Sequence, residues 1–244
     1  MLKLPSPPAL DVLLVQQPVT LFLDFDGTLV ELAPGPDDVY VTDTLPPLLV
    51  EVSRRLGGRL AIVSGRAVEW LQDVGLGAHV LSGTHGTEVL WPGGTVERTA
   101  RPPQLDEIDA AFHAFAEDRP GVIVESKTLA AGLHFRKAPE HGEASHALAA
   151  ELARASGLAV QPGKMMVELR LPGGSKGTAV EALMEREPFR GTVPVFLGDD
   201  VTDEEGFRAA EAHGGFGITV GERDSANARF HLATVSEVHE WLRL

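Results

Sequence analysis

Cysteine is absent from the 244 residues, which removes disulfide frameworks, thiolate nucleophiles, cysteine-ligated zinc and iron–sulfur clusters from the available chemistry. The same absence favours a cytoplasmic setting. Basic residues are scarce, 21 Lys and Arg against 35 Asp and Glu, for a net charge of −14. A surface this acidic repels a polyphosphate backbone, so no nucleic acid partner is expected. No 18 apolar residues run together without charge or proline, so no helix spanning a bilayer and no membrane partner is expected. The first residues are interrupted by Pro5, Pro7, Pro8, Asp11 and Pro18, and lack the successive basic, apolar and small-residue regions of a secretory signal. Internal repeats and low-complexity tracts are also missing.

What is present is the composition of a folded globular chain, 43% hydrophobic and 23% charged. The length fits one large domain or one domain carrying an insertion. Val19 to Phe25 is an almost continuous apolar run ending in carboxylates and Gly27, as for a parallel strand buried on both faces. Leu45, Leu48, Leu49, Val52 and Leu56 recur at helical spacing before Gly57 and Gly58. Leu60 to Val63 is a second buried strand, closed by Ser64 and Gly65. A helix from about Ala67 to Val74 and strands near Val80 and Val89 continue the alternation. The order predicts an α/β fold, a doubly wound parallel sheet with right-handed crossovers.

Pro92, Gly93, Gly94, Pro102 and Pro103 then mark turns or a linker. Beyond them the order becomes helix, two strands, helix, two strands: a stripe of Leu105, Ile108, Phe112 and Phe115, strands Val122 to Thr128 and Gly132 to Lys137, a helix Glu143 to Ser156, and strands near Val160 and over Met165 to Leu171. After Pro172, Gly173 and Gly174 the first rhythm returns, with a helix from Lys176 to about Glu187, a strand Val193 to Leu197, a helix from Asp203, a strand Phe216 to Val220 and a last helix from Val235. Residues 1–100 and 172–244 are therefore expected to form one core, split by an inserted α+β domain over 101–171.

The carboxyl ends of the core strands carry the chemistry, as in open α/β sheets generally. Asp24 and Asp26 are two apart, so both address one site while Phe25 points elsewhere, and Gly27 lets the chain turn away. A second acidic cluster, Gly198-Asp199-Asp200-Val201-Thr202-Asp203-Glu204, follows the strand Val193 to Leu197. Asp199 reads as a metal ligand; Asp203 reads equally as a ligand or as a helix cap. Carboxylates without Cys or an ordered His pair suit a hard cation that keeps its waters, Mg²⁺ before Zn²⁺. Ser64, Gly65 and Arg66 offer a hydroxyl and a backbone N–H to a phosphate oxygen. Ser175-Lys176-Gly177-Thr178 opens a helix after a Gly-rich turn, bringing positive charge to a dipole end. Gly177 directly after Lys176 does not fit a Walker A loop, which argues against a nucleotide kinase; the plain alternative for Lys176 is a solvated surface lysine.

Taken in order, Asp24 to Leu29, Ser64 to Arg66, Lys176 and Asp199 to Glu204 resemble the haloacid dehalogenase superfamily of aspartate-nucleophile phosphatases. The resemblance implies that Asp24 attacks phosphorus, that Asp26 protonates the leaving oxygen and then activates water, and that Ser64 and Lys176 hold the phosphoryl group. It also implies Mg²⁺ on Asp24, the backbone carbonyl of Asp26 and Asp199, with Asp200 and Asp203 as further candidates. It implies a haloacid dehalogenase-like core whose inserted domain is a cap.

In the insertion, Glu125 and Lys127 share a face, as do His134 and Arg136, and Lys164, Met166, Glu168 and Arg170 fall at one parity. Patterning alone favours the solvent-facing side of a sheet covered elsewhere by helices. Yet Gly83-Thr84-His85-Gly86, Glu125-Ser126-Lys127, His134-Phe135-Arg136, Gly163-Lys164 and Glu168-Leu169-Arg170, together with the core motifs, resemble the trehalose-6-phosphate phosphatase family over nearly residues 20 to 240. That likeness implies a small-molecule sugar phosphate as substrate, and Arg66, His85, Glu125, Lys127, Arg136, Lys164 and Glu168 as its binding residues. His85 reads equally as a satisfied loop histidine, and Phe135 stands where related sequences often carry Tyr. A related capped phosphatase for another sugar phosphate is the alternative, and a monomeric, cytoplasmic enzyme is expected. A signalling receiver domain also phosphorylates an aspartate, but it needs neither Asp26 nor a cap.

Overall fold

The computed structural model describes residues 4–35, 38–98 and 100–243. Its elements run α1 Leu10–Gln16, β1 Val19–Leu23, α2 Leu45–Arg55, β2 Leu60–Val63, α3 Val68–Leu71, β3 Val80–Gly83, β4 Glu88–Leu90, β5 Val96–Arg98, α4 Gln104–Glu117, β6 Ile123–Ser126, β7 Ala130–His134, α5 Gly142–Ser156, β8 Ala159–Gly163, β9 Met166–Arg170, α6 Lys176–Met184, β10 Val193–Gly198, α7 Asp203–Ala212, β11 Phe216–Val220, β12 Ala228–Leu232 and α8 Val235–Arg243. A π-helical turn Gln72–Leu76 extends α3, and a short 3-10 turn spans Thr84–Gly86. No described helix is long and apolar enough to cross a membrane.

The chain divides into two compact units. The larger comprises residues through Leu32, Tyr40–Glu97 and Gly174 onward; the smaller comprises Ala33–Val39 and Arg98–Gly173. The short segment Ala33–Val39 thus belongs with the insertion, although nothing in its sequence distinguishes it from the core around it.

The larger unit is built on a sheet ordered β12-β11-β10-β1-β2-β3-β4-β5. β1 lies between β10 and β2, parallel to both, in the register Leu23 opposite Leu197 and Leu23 opposite Ile62. Every residue of β1 is buried, as its almost continuous apolar sequence requires of a strand with helices on both faces. Phe22, Ala61, Val63 and Phe196 pack with Val180, Leu183 and Phe207 of α6 and α7 in one cluster. Leu21, Leu23, Leu60 and Ile62, at the opposite parity, are equally buried. This alignment sets the residues after β1, β2 and β10 side by side at one edge of the sheet.

Two features depart from the sequence expectation. β4 runs antiparallel to β3, because only Thr84–Thr87 separate them and a parallel return needs a crossover of a dozen residues or more. The sheet also gains β5, only three residues long, and β12, a five-residue strand in which Ala228, Phe230 and Leu232 alternate with Arg229 and His231.

The smaller unit is a four-stranded sheet, ordered β6-β7-β9-β8, with each neighbour antiparallel. Leu105, Ile108 and Phe112 of α4 and Ala149 and Ala153 of α5 bury Ala131, Leu133, Val167 and Leu169 on one face. The pairing Glu125–Gly132–Glu168–Gln161 runs across all four strands. His134 pairs with Ile123, so by strand alternation Glu125, His134, Glu168 and Arg170 share the face away from the helices. Lys164 is not in that row: it sits in the β8–β9 turn, beside Met165 at φ 62°. The turn breaks the alternation that would have aligned Lys164 with Glu168.

Candidate active site

The first carboxylate is placed by β1. Asp24 follows the last residue of that strand, its N–H bonded to the Leu197 carbonyl of β10 at 2.9 Å, and it is buried. Its Oδ1 lies 2.6 Å from the Lys176 ammonium, and its Oδ2 accepts from the Thr28 hydroxyl at 3.4 Å. Phe25 points into the core, as the strand parity predicts. Gly27 adopts φ +81°, and a Cβ there would stand 2.2 Å from Asp199 Oδ2, so both its conformation and its lack of a side chain are required.

Lys176 is the first residue of α6, whose N-cap Ser175 forms a reciprocal capping box with Thr178. It is buried, which removes the solvated-surface alternative. Its ammonium also lies 2.6 Å from Asp203 Oδ1. Burial opposes the Lys176 charge, but Asp203 and Asp24 outweigh it and hold its pKa above the ordinary lysine value.

The other wall comes from the loop after β10. Asp203 Oδ2 accepts from the Asp200 N–H at 2.8 Å and its Oδ1 meets Lys176, so it closes its own loop and serves as counter-ion to the lysine. Thr202, rather than Asp203, occupies the N-cap of α7, without a side-chain cap bond; the helix-cap alternative for Asp203 does not hold. The Asp200 carboxylate accepts from the Val201 N–H at 2.7 Å. The whole loop is held from outside by Arg223, which donates to the carbonyls of Asp199 (3.1 Å) and Asp200 (3.0 Å) and pairs with Glu204 at 2.7 Å. No sequence signal pointed to Arg223.

Among the described residues, Asp24, Asp199 and Asp203 present carboxylate oxygens within 4.8 Å of one another. The expected metal residues Asp26 and Asp200 do not add their carboxylates to this group. Three carboxylates face one ammonium, and burial together with this excess of negative charge disfavours the ionisation of Asp24 and Asp199. Burial, then Asp203, raises Asp24 well above the usual carboxylate range, and burial, Asp203 and Asp200 push Asp199 up to about 7. Asp199 Oδ1 is buried and has no hydrogen-bond partner among the described residues. A buried acceptor without a donor, inside a cluster short of positive charge, fits a hard divalent cation with oxygen ligands.

Ser64 follows β2, buried, with its Oγ accepting from the Arg66 N–H at 3.1 Å. His85, at φ 54°, hydrogen-bonds the Ser64 carbonyl through its own N–H at 3.0 Å. A Cβ on Gly65 would lie 2.7 Å from His85 Nε2; the histidine is thus against the Ser64 loop, and the glycine makes room for it. Arg66 is not directed at open space. Its Nε and Nη2 reach the two oxygens of Asp26 at 2.7 and 2.8 Å, and its guanidinium lies 3.9 Å from the Trp70 ring centroid.

In the smaller unit the charged face is a network of paired side chains. Lys127 Nζ is 2.5 Å from Glu168 Oε2 and 3.6 Å from Glu125 Oε2, and His134 Nε2 is 2.8 Å from Glu125 Oε2. Gly132, between Glu125 and Glu168 in the register, leaves this space clear. Glu168 is only 1% exposed, so this face is not the ordinary solvated side that patterning favoured. Burial opposes the Glu125 charge, yet Lys127 and His134 hold its pKa below the usual value. Arg170 Nη2 bonds Gln161 at 3.0 Å. Arg136 binds the Ala33 carbonyl and, at 3.3 Å, that of Lys164, and Lys164 itself is exposed in its turn. Both therefore stand outside the Glu125–Lys127–Glu168 network.

The family profile described as trehalose-phosphatase matches residues 22–236. The trehalose-6-phosphate phosphatase of Escherichia coli (strain K12) is 36% identical over 226 residues, covering 91% of this chain and 85% of that protein. The probable trehalose-phosphate phosphatase of Sinorhizobium fredii (strain NBRC 101917 / NGR234) is 39% identical over 204 residues, covering 82% and 77%. A crystal structure of a trehalose-6-phosphate phosphatase related protein superposes with a TM-score of 0.79 at 28% identity, covering 92% of this chain and 95% of the other. A match over most of the chain, at these identities and on this haloacid dehalogenase-like sheet, establishes that the chain belongs to the trehalose-phosphatase family.

Proposed function

We propose that the chain hydrolyses trehalose 6-phosphate to trehalose and inorganic phosphate, with Asp24 as nucleophile. The observation that carries this reading is the environment of Asp24: a buried carboxylate at a strand end, one oxygen on Lys176 and the other on Thr28, in a chain of this family. An Asp24 oxygen attacks phosphorus and the bond to the sugar oxygen breaks, leaving an aspartyl-phosphate. Asp26 delivers a proton to the departing sugar oxygen, then takes one from the water that attacks phosphorus, and the Asp24 carboxylate is released with phosphate. Ser64 and Lys176 hold the phosphoryl oxygens, and Asp203 keeps Lys176 in place.

The residues that would hold Mg²⁺ are Asp24, Asp199 and the backbone carbonyl of Asp26. Two unit charges at about 4 Å repel by roughly 4 kcal/mol at an effective dielectric near 20, and the bound cation would offset that repulsion between carboxylate and phosphate dianion. Glu125, Lys127 and Glu168 of the cap are the groups that read the sugar hydroxyls, supported by the pairing of one ammonium with a buried carboxylate, Glu168, and a partly exposed one, Glu125. A monomer suffices for these roles. The test is rapid quench with substrate labelled in the phosphate: the label should appear transiently on Asp24, and Asp24→Asn should neither take up label nor turn over. Retention of a tenth of the wild-type rate by Asp24→Asn would remove Asp24 from the chemistry.

A further inference from the structure

Arg66 follows the Ser64–Gly65 turn, where the sequence suits a ligand for the substrate, yet its fork is spent on Asp26. Nε bonds Oδ2 at 2.7 Å and Nη2 bonds Oδ1 at 2.8 Å. Two parallel N–H···O bonds fix a carboxylate in plane and in rotation, which a single donor does not. The guanidinium is itself fixed. Its carbon lies 3.9 Å from the centroid of the Trp70 ring and 5.9 Å from that of Phe25, and those two rings meet edge to face at 5.5 Å. At the backbone, the Arg66 N–H donates to Ser64 Oγ (3.1 Å) and its carbonyl accepts from the Thr84 N–H (2.9 Å). Aromatic shelf, guanidinium and carboxylate are thus stacked in one rigid series, from α3 to the residue two beyond the nucleophile.

We propose that Arg66, oriented by Trp70, is the positioning residue of Asp26: it holds the carboxylate in the orientation needed for proton exchange and is not a ligand of the phosphoryl group. The proposal rests on the assignment of Asp26 to proton transfer made above. A carboxylate free to rotate must be aligned at each turnover, and misplacement of a proton donor costs rate in proportion to the need for the proton. The loss from removing Arg66 therefore depends on the leaving group. Phosphate binding does not.

The test compares wild type with Arg66→Met, Arg66→Lys, Trp70→Leu, Asp26→Asn and the double variant Asp26→Asn/Arg66→Met on nitrophenyl phosphate, phenyl phosphate and trehalose 6-phosphate, with inhibition by inorganic phosphate measured alongside. Arg66→Met should lose about 10²-fold in kcat on the sugar phosphate, whose oxygen leaves poorly, and no more than about threefold on nitrophenyl phosphate. Inhibition by inorganic phosphate should stay unchanged. Arg66→Lys should recover little, because one donor replaces the fork. Trp70→Leu should show a smaller loss in the same leaving-group order, which keeps the test available if Arg66→Met does not fold. The double variant should be no slower than Asp26→Asn, since the two act as one unit. Equal losses on all substrates with weakened phosphate inhibition would make Arg66 a phosphate ligand and overturn the proposal, and so would additive losses in the double variant. If Asp26→Asn itself shows no leaving-group dependence, the proton-transfer assignment fails first, which is a separate result.

Discussion

The ammonium of Lys176 lies 2.6 Å from the carboxylate of Asp24, with both side chains buried. The same nitrogen holds Asp203 at 2.6 Å, so one cation joins the proposed nucleophile to the loop after β10. Lys176→Met would leave two buried carboxylates without their counter-ion, a change that typically costs about 3–5 kcal/mol. Urea unfolding of the metal-free protein should show a loss of that order, and Lys176→Met/Asp203→Asn should recover part of it. Turnover should be absent in both.

The acidic cluster makes a prediction of opposite sign for Asp199. Its pKa is pushed up to about 7 by burial, Asp203 and Asp200, so its charge is unfavourable in the metal-free fold. Asp199→Asn should therefore unfold at a higher temperature than wild type in the presence of chelator above pH 7. Mg²⁺ should stabilise wild type, by about 2.7 kcal/mol at a hundredfold excess over its dissociation constant, and should leave Asp199→Asn where it was. Thermal unfolding with chelator and with Mg²⁺ measures both effects without reference to catalysis.

Glu125 and Glu168 should matter for the sugar and not for phosphate. An unpaired buried polar group costs about 1–3 kcal/mol, so Glu125→Ala or Glu168→Ala should lower kcat/KM for trehalose 6-phosphate by tenfold or more, roughly, and leave nitrophenyl phosphate nearly unaffected. Part of the loss should appear in kcat, because binding energy from the remote sugar contributes to the transition state. Parallel kinetics on the two substrates decide this.

His79 gives the fold a pH dependence away from the site. Neither of its buried ring nitrogens has a hydrogen-bond partner among the described residues, and burial holds its pKa below the usual 6.5. The unfolded chain thus takes up the proton before the folded one does. Stability contributed by neutral His79 is complete above about 6.5 and is lost as pH falls below it. The slope of unfolding free energy against pH between 7 and 5 should be shallower in His79→Phe than in wild type.

Much of the core was legible because its central strands are almost continuous apolar runs whose carboxyl ends carry charged or hydroxyl residues: Asp24 after β1, Ser64 after β2 and Asp199 after β10. Three kinds of feature were not. β5, at three residues, is too short to show a period, and β12, although Ala228, Phe230 and Leu232 alternate with Arg229 and His231, is a five-residue, partly buried strand with no long apolar run to mark it. Lys164 reads as a strand residue until the positive φ of Met165 places a turn there. Arg66 and Arg223 spend their donors on groups 40 and 24 residues away in sequence, and Trp70 supports Arg66 with a ring that looks like any helix-face apolar residue. Spacing reports local geometry, and these contacts depend on how distant strand ends are brought together.

Substrate choice is read by phosphate release in the presence of Mg²⁺ across a panel of trehalose 6-phosphate, sucrose 6-phosphate, glucose 6-phosphate and mannosyl phosphoglycerate. A trehalose 6-phosphate phosphatase should show the highest kcat/KM for trehalose 6-phosphate by at least about tenfold, the difference that roughly 1.4 kcal/mol of transition-state contact supplies, and no release when the metal is chelated. Equal or greater kcat/KM on another member of the panel, or full activity with the metal removed, would contradict the proposed function.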